Sequence, residues 1–365
     1  MAIVTDHTFP ESMEAVVCHG VKDYRLQEMP VPKPELGDII VKVSACGICA
    51  SDIKCYLGAP LFWGDDKRQQ FVETPVIPGH EFIGEVVALG EGAAEKHGVT
   101  LGDIAIAEQI LPCWNCMYCK RGMYWLCKVS NVFGFQQVCQ GGMASYMKYP
   151  ARSIVHKVPT DMPVTKAALI EPLACAIHAV ERGDIKLGDM VVIAGAGPLG
   201  LLMVGAAHLK TPGKLIVLDM RDDRLAMARK MGADLTINPS REDPVELIRS
   251  LSDGYGCDVF IEATGHPDAV VTGLHAIRKS GTFVEFSVMK EPVTVDWTII
   301  GDAKELNIHG AHLGPYCYPT AIDYIHRNLI DVAPLVTHEL PLADFQKGLD
   351  AAANPVDSIK ILLRP

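Results

Sequence analysis

The sequence has no uninterrupted run of about 18 apolar residues, so no membrane-spanning helix is expected. It has no excess of basic residues. A net charge of −11 leaves it without the basic face that a nucleic acid or an anionic membrane would want. The polar opening Met1–Ser12 lacks the basic flank and apolar core of a signal peptide. The expected compartment is therefore the cytosol, and neither nucleic acid nor membrane is expected as a partner. Internal repeats and low-complexity tracts are also missing. What is present is a chain of 365 residues, 49% hydrophobic and 21% charged, which can form two ordinary domains with real cores. Twelve cysteines would suggest disulfides in a short secreted chain. Here four of them crowd into one cluster of a long chain, so metal or catalytic use is the better reading.

Residues 13–160 read as mostly β. Short apolar or β-branched runs recur at Met13–Cys18, Ile39–Ala45, Phe82–Leu89, Ile104–Ala107 and Ile154–Val158, punctuated by glycine and proline. The pattern changes near Pro163, with a helical stretch predicted over 163–181. Strands are then predicted at Met190–Ala194, Lys214–Leu218, Leu235–Ile237, Val259–Ile261, Thr282–Phe286 and Leu306–His309, with helices starting at Leu199, Arg221, Pro244, Pro267 and Trp297. Apolar strands alternating with helices indicate a parallel sheet covered on both faces, and six of them make a doubly wound dinucleotide-binding domain. The tail from about 315 carries two helical patterns and a last strand at Ile359–Leu363, predicted to return to the first domain. The fold class is α/β, with a β-rich domain over 1–175 and 315–365 and a parallel-sheet domain over 176–314. A polar insertion at 57–73 stands out.

Val191 to Gly200 is an apolar strand running into a glycine fingerprint. Alone, G-x-G-x-x-G is a weak signal. Here it follows a strand, opens a helix and precedes a second strand ending in Asp219, which makes it specific. Gly195 permits the tight turn, Gly197 lets a pyrophosphate approach the backbone, and Gly200 lets the helix pack on the strand. The helix N-terminus offers free N–H groups to phosphate. Asp219 can bond both ribose hydroxyls and would repel a 2′-phosphate, so NAD is favoured over NADP. Arg221 nearby weakens that preference slightly.

Cys113, Cys116, Cys119 and Cys127 supply four soft ligands within 15 residues. Four thiolates suit one tetrahedral zinc and leave no open position, so the expected role is structural, in a lobe over 112–128. Iron–sulfur binding competes, but the spacings do not match ferredoxin patterns; redox thiols are a third use. The other cysteines read as small buried hydrophobes.

Further motifs carry a resemblance. Cys46-Gly47-Ile48-Cys49-Ala50-Ser51-Asp52, Gly79-His80-Glu81, the four-cysteine lobe, Glu171-Pro172-Leu173 and the glycine loop stand in the order of the zinc-dependent medium-chain dehydrogenases. The chain resembles that family over nearly all of residues 13–365, and within it the polyol branch. The resemblance implies a GroES-like catalytic domain beside a Rossmann domain, two Zn2+ ions per chain (one catalytic, one structural), NAD, and a homodimer or homotetramer. It implies that Cys49 and His80 ligate the catalytic metal. Either Glu81 or Glu171 completes the set, while the other stands behind it or holds its water. Asp52 would orient a ligand such as His80, and Ser51 would relay the proton. Lys54 occupies a place where many members carry histidine, which leaves the end of that relay open. Pro198, Leu199, Arg224, Thr264, Phe286, Ser287, Val288, His312 and Leu313 would contact the cofactor.

The implied reaction moves hydride from a secondary alcohol to the nicotinamide, with the metal acidifying the hydroxyl. Sorbitol-type relatives often have an arginine–tyrosine pair where this chain reads Leu313-Gly314, so a smaller polyol such as a tetritol is expected as substrate. Tyr56, Phe62 and Trp63 could wall the smaller pocket or simply pack the insertion. Two rival readings are an amino-alcohol oxidation of the threonine-dehydrogenase kind and a non-catalytic nucleotide-binding protein on the same fold.

Overall fold

The computed structural model describes residues 4–5, 10–289 and 291–365. The reading of Met1–Ser12 therefore lies largely outside the described residues. The chain forms two compact units: Met1–Glu171 with Tyr318–Arg327 and Val332–Pro365, and Pro172–Cys317 with Asn328–Asp331.

The first unit is built on an eight-stranded sheet. Along its main path the strands run Val155–Val158, Ile104–Ala107, Glu81–Leu89, Ile39–Gly47, Lys360–Arg364 and Val336–Pro341. Ile39–Gly47 is buried at seven of its nine positions, as a central strand covered on both faces must be. It pairs antiparallel with Glu81–Leu89 on one side and with Lys360–Arg364 on the other. The last strand therefore lies inside the sheet and not at its edge. A hairpin, Ser12–Gly20 with Asp23–Pro30, forms a separate two-stranded sheet. Its second arm was not expected, because Asp23, Arg25 and Glu28 blur the alternation.

The second unit carries a six-stranded parallel sheet. Its order is Leu235–Ile237, Lys214–Leu218, Met190–Ala194, Cys257–Glu262, Ile277–Glu285, Asn307–Gly310. The strand order reverses between Met190–Ala194 and Cys257–Glu262, the switch point at which doubly wound sheets bind ligands. All five residues of Met190–Ala194 are buried. The helix Pro198–His208 follows at once, with proline at its first position, where a missing N–H costs nothing.

Three expectations change. The helical stretch at 163–181 is two helices, Val164–Ala167 and Ile170–Arg182. The fifth strand begins at Ile277, directly after the helix Pro267–Ala276. The helix predicted from Trp297 is one 3-10 turn, Trp297–Ile299: Ile299 and Ile300 pack on the core while the Trp297 ring is exposed.

Candidate active site

Strand register assembles the site in the first unit. Gly47 lies directly opposite Glu81 across the central pair. Cys49 follows two residues after Gly47, and His80 comes one residue before Glu81, so the two ends converge. A Cβ at Gly47 would come within 2.2 Å of Glu81 Oε2, so this position leaves room for the carboxylate only as glycine. Cys49 caps the helix Ala50–Tyr56, and Asp52 reaches back to accept from the Cys49 N–H at 2.8 Å. Ligand atoms of Cys49, His80 and Glu81 all lie within 4.8 Å of one another.

His80 and Glu81 are buried, 6% and 2% exposed. Asp52 Oδ1 faces His80 Nδ1 at 3.6 Å, and neither atom has a hydrogen-bond partner. Nε2 points to the other side, 3.4 Å from Ser51 Oγ. Burial works to lower the His80 pKa, but Asp52 and Cys49 outweigh it and hold the imidazole well above its ordinary value. The carboxylate of Asp52 and the sulfur of Cys49 on either side of the ring give the pocket a negative character that favours a cation. One sulfur, one imidazole and one carboxylate form a donor set suited to zinc with a position left open.

Glu171 stands outside that 4.8 Å set. It is 4% exposed, and its Oε1 accepts from Gln109 Nε2 at 2.6 Å. The sequence left Glu81 and Glu171 as equal candidates; the geometry groups Glu81 with Cys49 and His80. Two residues went unnoticed. Lys360, 3% exposed, donates to Glu81 Oε1 at 2.8 Å, Glu81 Oε2 at 2.5 Å and Ile48 O at 3.2 Å. Burial works to lower its pKa; Glu81, Cys49 and Glu171 outweigh that and raise it. Gln109 is the other. The only signal for Lys360 was a charge inside the apolar run Ile359–Leu363.

Cys46 does not join the cluster. It is fully buried, and burial pushes its thiol far up, as expected for a small core residue. Phe62 of the insertion is 4% exposed and stacks on Phe135 at 5.1 Å; Phe135 in turn lies 5.6 Å from the His80 ring. The Trp63 indole donates to Cys55 O at 2.7 Å, and Tyr56 sits edge-on to Tyr24 at 5.1 Å. These aromatics pack against their neighbours, and Phe135 alone of them lies beside the histidine.

The sulfurs of Cys113, Cys116, Cys119 and Cys127 also lie within 4.8 Å of one another. Backbone N–H groups point at them: Cys116 N to Cys113 Sγ at 3.3 Å, Cys113 N to Cys127 Sγ at 3.3 Å, Lys128 N to Cys116 Sγ at 3.5 Å. Such bonds from the Cys119 and Lys128 amides bring the Cys116 thiol down to about 6. Burial and its sulfur neighbours push Cys119 up to about 12. Four sulfurs this close ionise together only around a cation, and all twelve cysteines are free of disulfides.

In the second unit Gly195 has φ +103°, and a Cβ at Gly200 would meet Gly195 O at 2.0 Å. At Gly197 a Cβ would meet nothing nearer than Arg224 Nη1 at 3.9 Å. The turn is thus tight behind and open in front, a cradle for a phosphate. Arg224 Nε is buried without a partner there. Asp219 accepts from Ala196 N at 2.8 Å and Arg221 N at 2.9 Å, which fixes its carboxylate at the strand end. Arg221 is tied to Asp223 at 2.6 Å. Pro198 and Leu199 open the helix. Thr264 bonds through its hydroxyl to Glu262, and Phe286, Ser287 and Val288 follow the strand Ile277–Glu285. His312 and Leu313 follow Asn307–Gly310. A Cβ at Gly314 would approach Ala174 C to 2.5 Å, so a tyrosine is excluded there.

Comparison with known proteins agrees with this architecture. Residues 35–160 match the family described as "Alcohol dehydrogenase GroES-like domain", and residues 198–327 match "Zinc-binding dehydrogenase". The chain is 52% identical over 356 residues to the erythritol/L-threitol dehydrogenase of Mycolicibacterium smegmatis, covering 98% of each chain. It is 36% identical to the L-threonine 3-dehydrogenase of Bacillus velezensis, covering 89% of this chain and 91% of that one. The crystal structure of 2R,3R-butanediol dehydrogenase from Bacillus subtilis superposes with a TM-score of 0.86 at 30% identity, covering 97% of this chain and 100% of that one.

Proposed function

The chain belongs to the zinc-dependent medium-chain dehydrogenases, in their polyol branch, and from that premise we propose that it oxidises a secondary hydroxyl of a tetritol to a ketone with NAD as acceptor. The observation that carries this reading is the convergence of Cys49, His80 and Glu81 within 4.8 Å in a chain 52% identical to an erythritol/L-threitol dehydrogenase. Cys49, His80 and Glu81 would hold the catalytic ion, and the four-cysteine lobe the structural one. When bound, the catalytic ion would supply a Lewis acid that lowers the pKa of a hydroxyl beside it toward neutrality.

The chain's own residues do the rest. Asp52 faces His80 Nδ1 and so directs Nε2 to the metal side. Ser51 Oγ lies beside that nitrogen, placed to take the substrate's hydroxyl proton. Gly197 and Arg224 cradle the pyrophosphate, and Asp219 receives the adenosine ribose. Because Arg221 is paired with Asp223, it offers a 2′-phosphate little, which supports NAD. Close packing at Gly314 keeps out the tyrosine that sorbitol-type relatives often carry, and this supports a short polyol.

No helix among the described residues is long and apolar enough to cross a membrane. We assign the chain to the cytosol. We also assign it to a homo-oligomer, on the exposure of Trp114, Met117 and Val129 on the lobe (47%, 52% and 54%). The test is an NAD-linked screen of erythritol, L-threitol, xylitol, sorbitol and L-threonine, with and without a zinc chelator. Chelator-sensitive turnover of a tetritol is expected. Preferred turnover of L-threonine would replace this reading with amino-alcohol oxidation.

A further inference from the structure

We propose that Glu262 and Glu285 share one proton, and that Glu262, so held, is a positioning residue for the cofactor edge of the second unit, a role that rests on reading that edge as the NAD site.

Glu262 and Glu285 end two neighbouring parallel strands, Cys257–Glu262 and Ile277–Glu285, and stand in register as direct partners. Registered partners point their side chains to one face of a sheet. Phe260 and Phe283, two residues earlier, do so and stack at 5.8 Å. The same row continues through Ala194 beside Glu262 and Gly310 beside Glu285, so neither flank brings a charge. On the surrounding elements, His266 and Asp268 face each other at 3.7 Å at the start of the helix Pro267–Ala276. The Lys304 ammonium binds the carbonyls of Leu274, His275 and Ile277 at the far end of that helix. Arg278 pairs with Asp258 at 2.6 Å near the opposite end of the strands, and His309 Nδ1 lies 2.8 Å from Arg182 O.

Each acid of the pair has one buried oxygen without a hydrogen-bond partner, Glu262 Oε2 and Glu285 Oε1. Glu262 is 0% exposed, so bulk water does not reach it. Two acceptors cannot satisfy each other, whereas one proton between them satisfies both. Burial and the Glu262 carboxylate push the Glu285 pKa up to about 7, in agreement.

The remaining oxygens of Glu262 hold both loops that leave the sheet here. Its Oε1 accepts from Thr264 N at 2.7 Å, from Gly265 N at 3.0 Å and from the Thr264 hydroxyl. Its main-chain oxygen accepts from Phe286 N at 3.4 Å. The turn so formed backs the glycine loop: a Cβ at Gly195 would come within 2.8 Å of Ala263 O and 3.1 Å of Thr264 Cγ2. It also abuts the second loop, where a Cβ at Gly265 would meet Val288 O at 2.8 Å. Losing the shared proton sets two like charges against each other and displaces the carboxylate from which the turn hangs. The glycine loop then loses its backing, and the cofactor binds less tightly.

The test is the NADH affinity of the zinc-loaded protein, followed by fluorescence titration from about pH 6 to about pH 8.5. Wild-type affinity is expected to fall by about fivefold over that range. Glu285→Gln places an NH2 donor where the proton was and should keep the low-pH affinity throughout. Glu285→Leu leaves Glu262 Oε2 unmet and should bind weakly at every pH. A wild-type affinity that does not fall, a wild-type slope retained in Glu285→Gln, or a glutamine variant as weak as the leucine one overturns the proposal. Should Glu285→Gln not fold, Glu262→Gln decides. Its amide oxygen still accepts from the turn and its NH2 meets Glu285, so the slope should vanish, and a retained slope overturns the proposal. A wild-type protein that binds no NADH at any pH refutes the NAD reading itself, which is a different result.

Discussion

Replacing Lys360 with methionine removes a charge from the middle of the first unit while keeping most of the side-chain volume. The ammonium is 3% exposed and makes two bonds to a carboxylate that is 2% exposed. Removing one partner of such a pair leaves the other buried and uncompensated, which costs about 3–5 kcal/mol. That is roughly two to four powers of ten in the unfolding equilibrium. A divalent cation at Cys49, His80 and Glu81 would supply the missing positive charge. The loss should therefore be large in metal-free protein and clearly smaller in zinc-loaded protein. Urea unfolding of both forms, followed by intrinsic fluorescence, measures the difference. Glu81→Gln combined with Lys360→Met should recover much of the loss, since neither partner of the pair is then left charged and uncompensated. Equal destabilisation with and without zinc would show that Glu81 does not face the ion. A loss under about 1 kcal/mol would show that the pair is not buried as described.

Ser51→Ala should lower kcat by about 10²-fold and leave NAD affinity unchanged, as steady-state kinetics would show; an unchanged kcat removes Ser51 from proton transfer. Cys116→Ser should lose one zinc per chain by elemental analysis while the catalytic ion is retained. Asp219→Asn should weaken NAD by about tenfold or more and NADP by less, measured as the ratio of kcat/KM values. Glu285 supplies a pH test. Burial and the neighbouring Glu262 raise its pKa from 4.5 to about 7. An acid raised on folding stabilises fully below its unfolded pKa and loses that contribution as pH rises through the folded one. The second unit should thus lose stability between pH 4.5 and about 7, by about 3 kcal/mol before solvent screening and about 1–2 kcal/mol after it. Glu285→Gln should flatten that dependence in thermal melts, and an unchanged slope would assign it elsewhere.

What could be read in advance were features carried by short spacings. The glycine turn, the strand before it and Asp219 lie within a few dozen residues, and their order alone limits the chemistry. The four-cysteine lobe is contained in 15 residues. Cys49 and His80 are further apart, and only the resemblance joined them before the Gly47–Glu81 register did. Lys360 and Gln109 stayed hidden for the same physical reason. Their partners lie 279 and 62 residues away, and which side chains meet over such separations depends on strand order, register and where the helices pack. The strand Asp23–Pro30 was missed because hairpin pairing with Ser12–Gly20 overrides its charged composition.

The placement of Lys360–Arg364 between Ile39–Gly47 and Val336–Pro341 also bears on how the molecule is born. On a ribosome, the nucleotide-binding unit has its six strands in hand well before residue 360 is added, and it can fold as the chain emerges. The metal-binding half must wait with a slot open beside Gly47 until the last strand slides in. Only then does an ammonium reach Glu81, so the pocket acquires its balance of charge after the strands of the cofactor-binding unit have all been made. A nascent chain stalled before that point would hold a finished cofactor shell and an unfinished chemical centre.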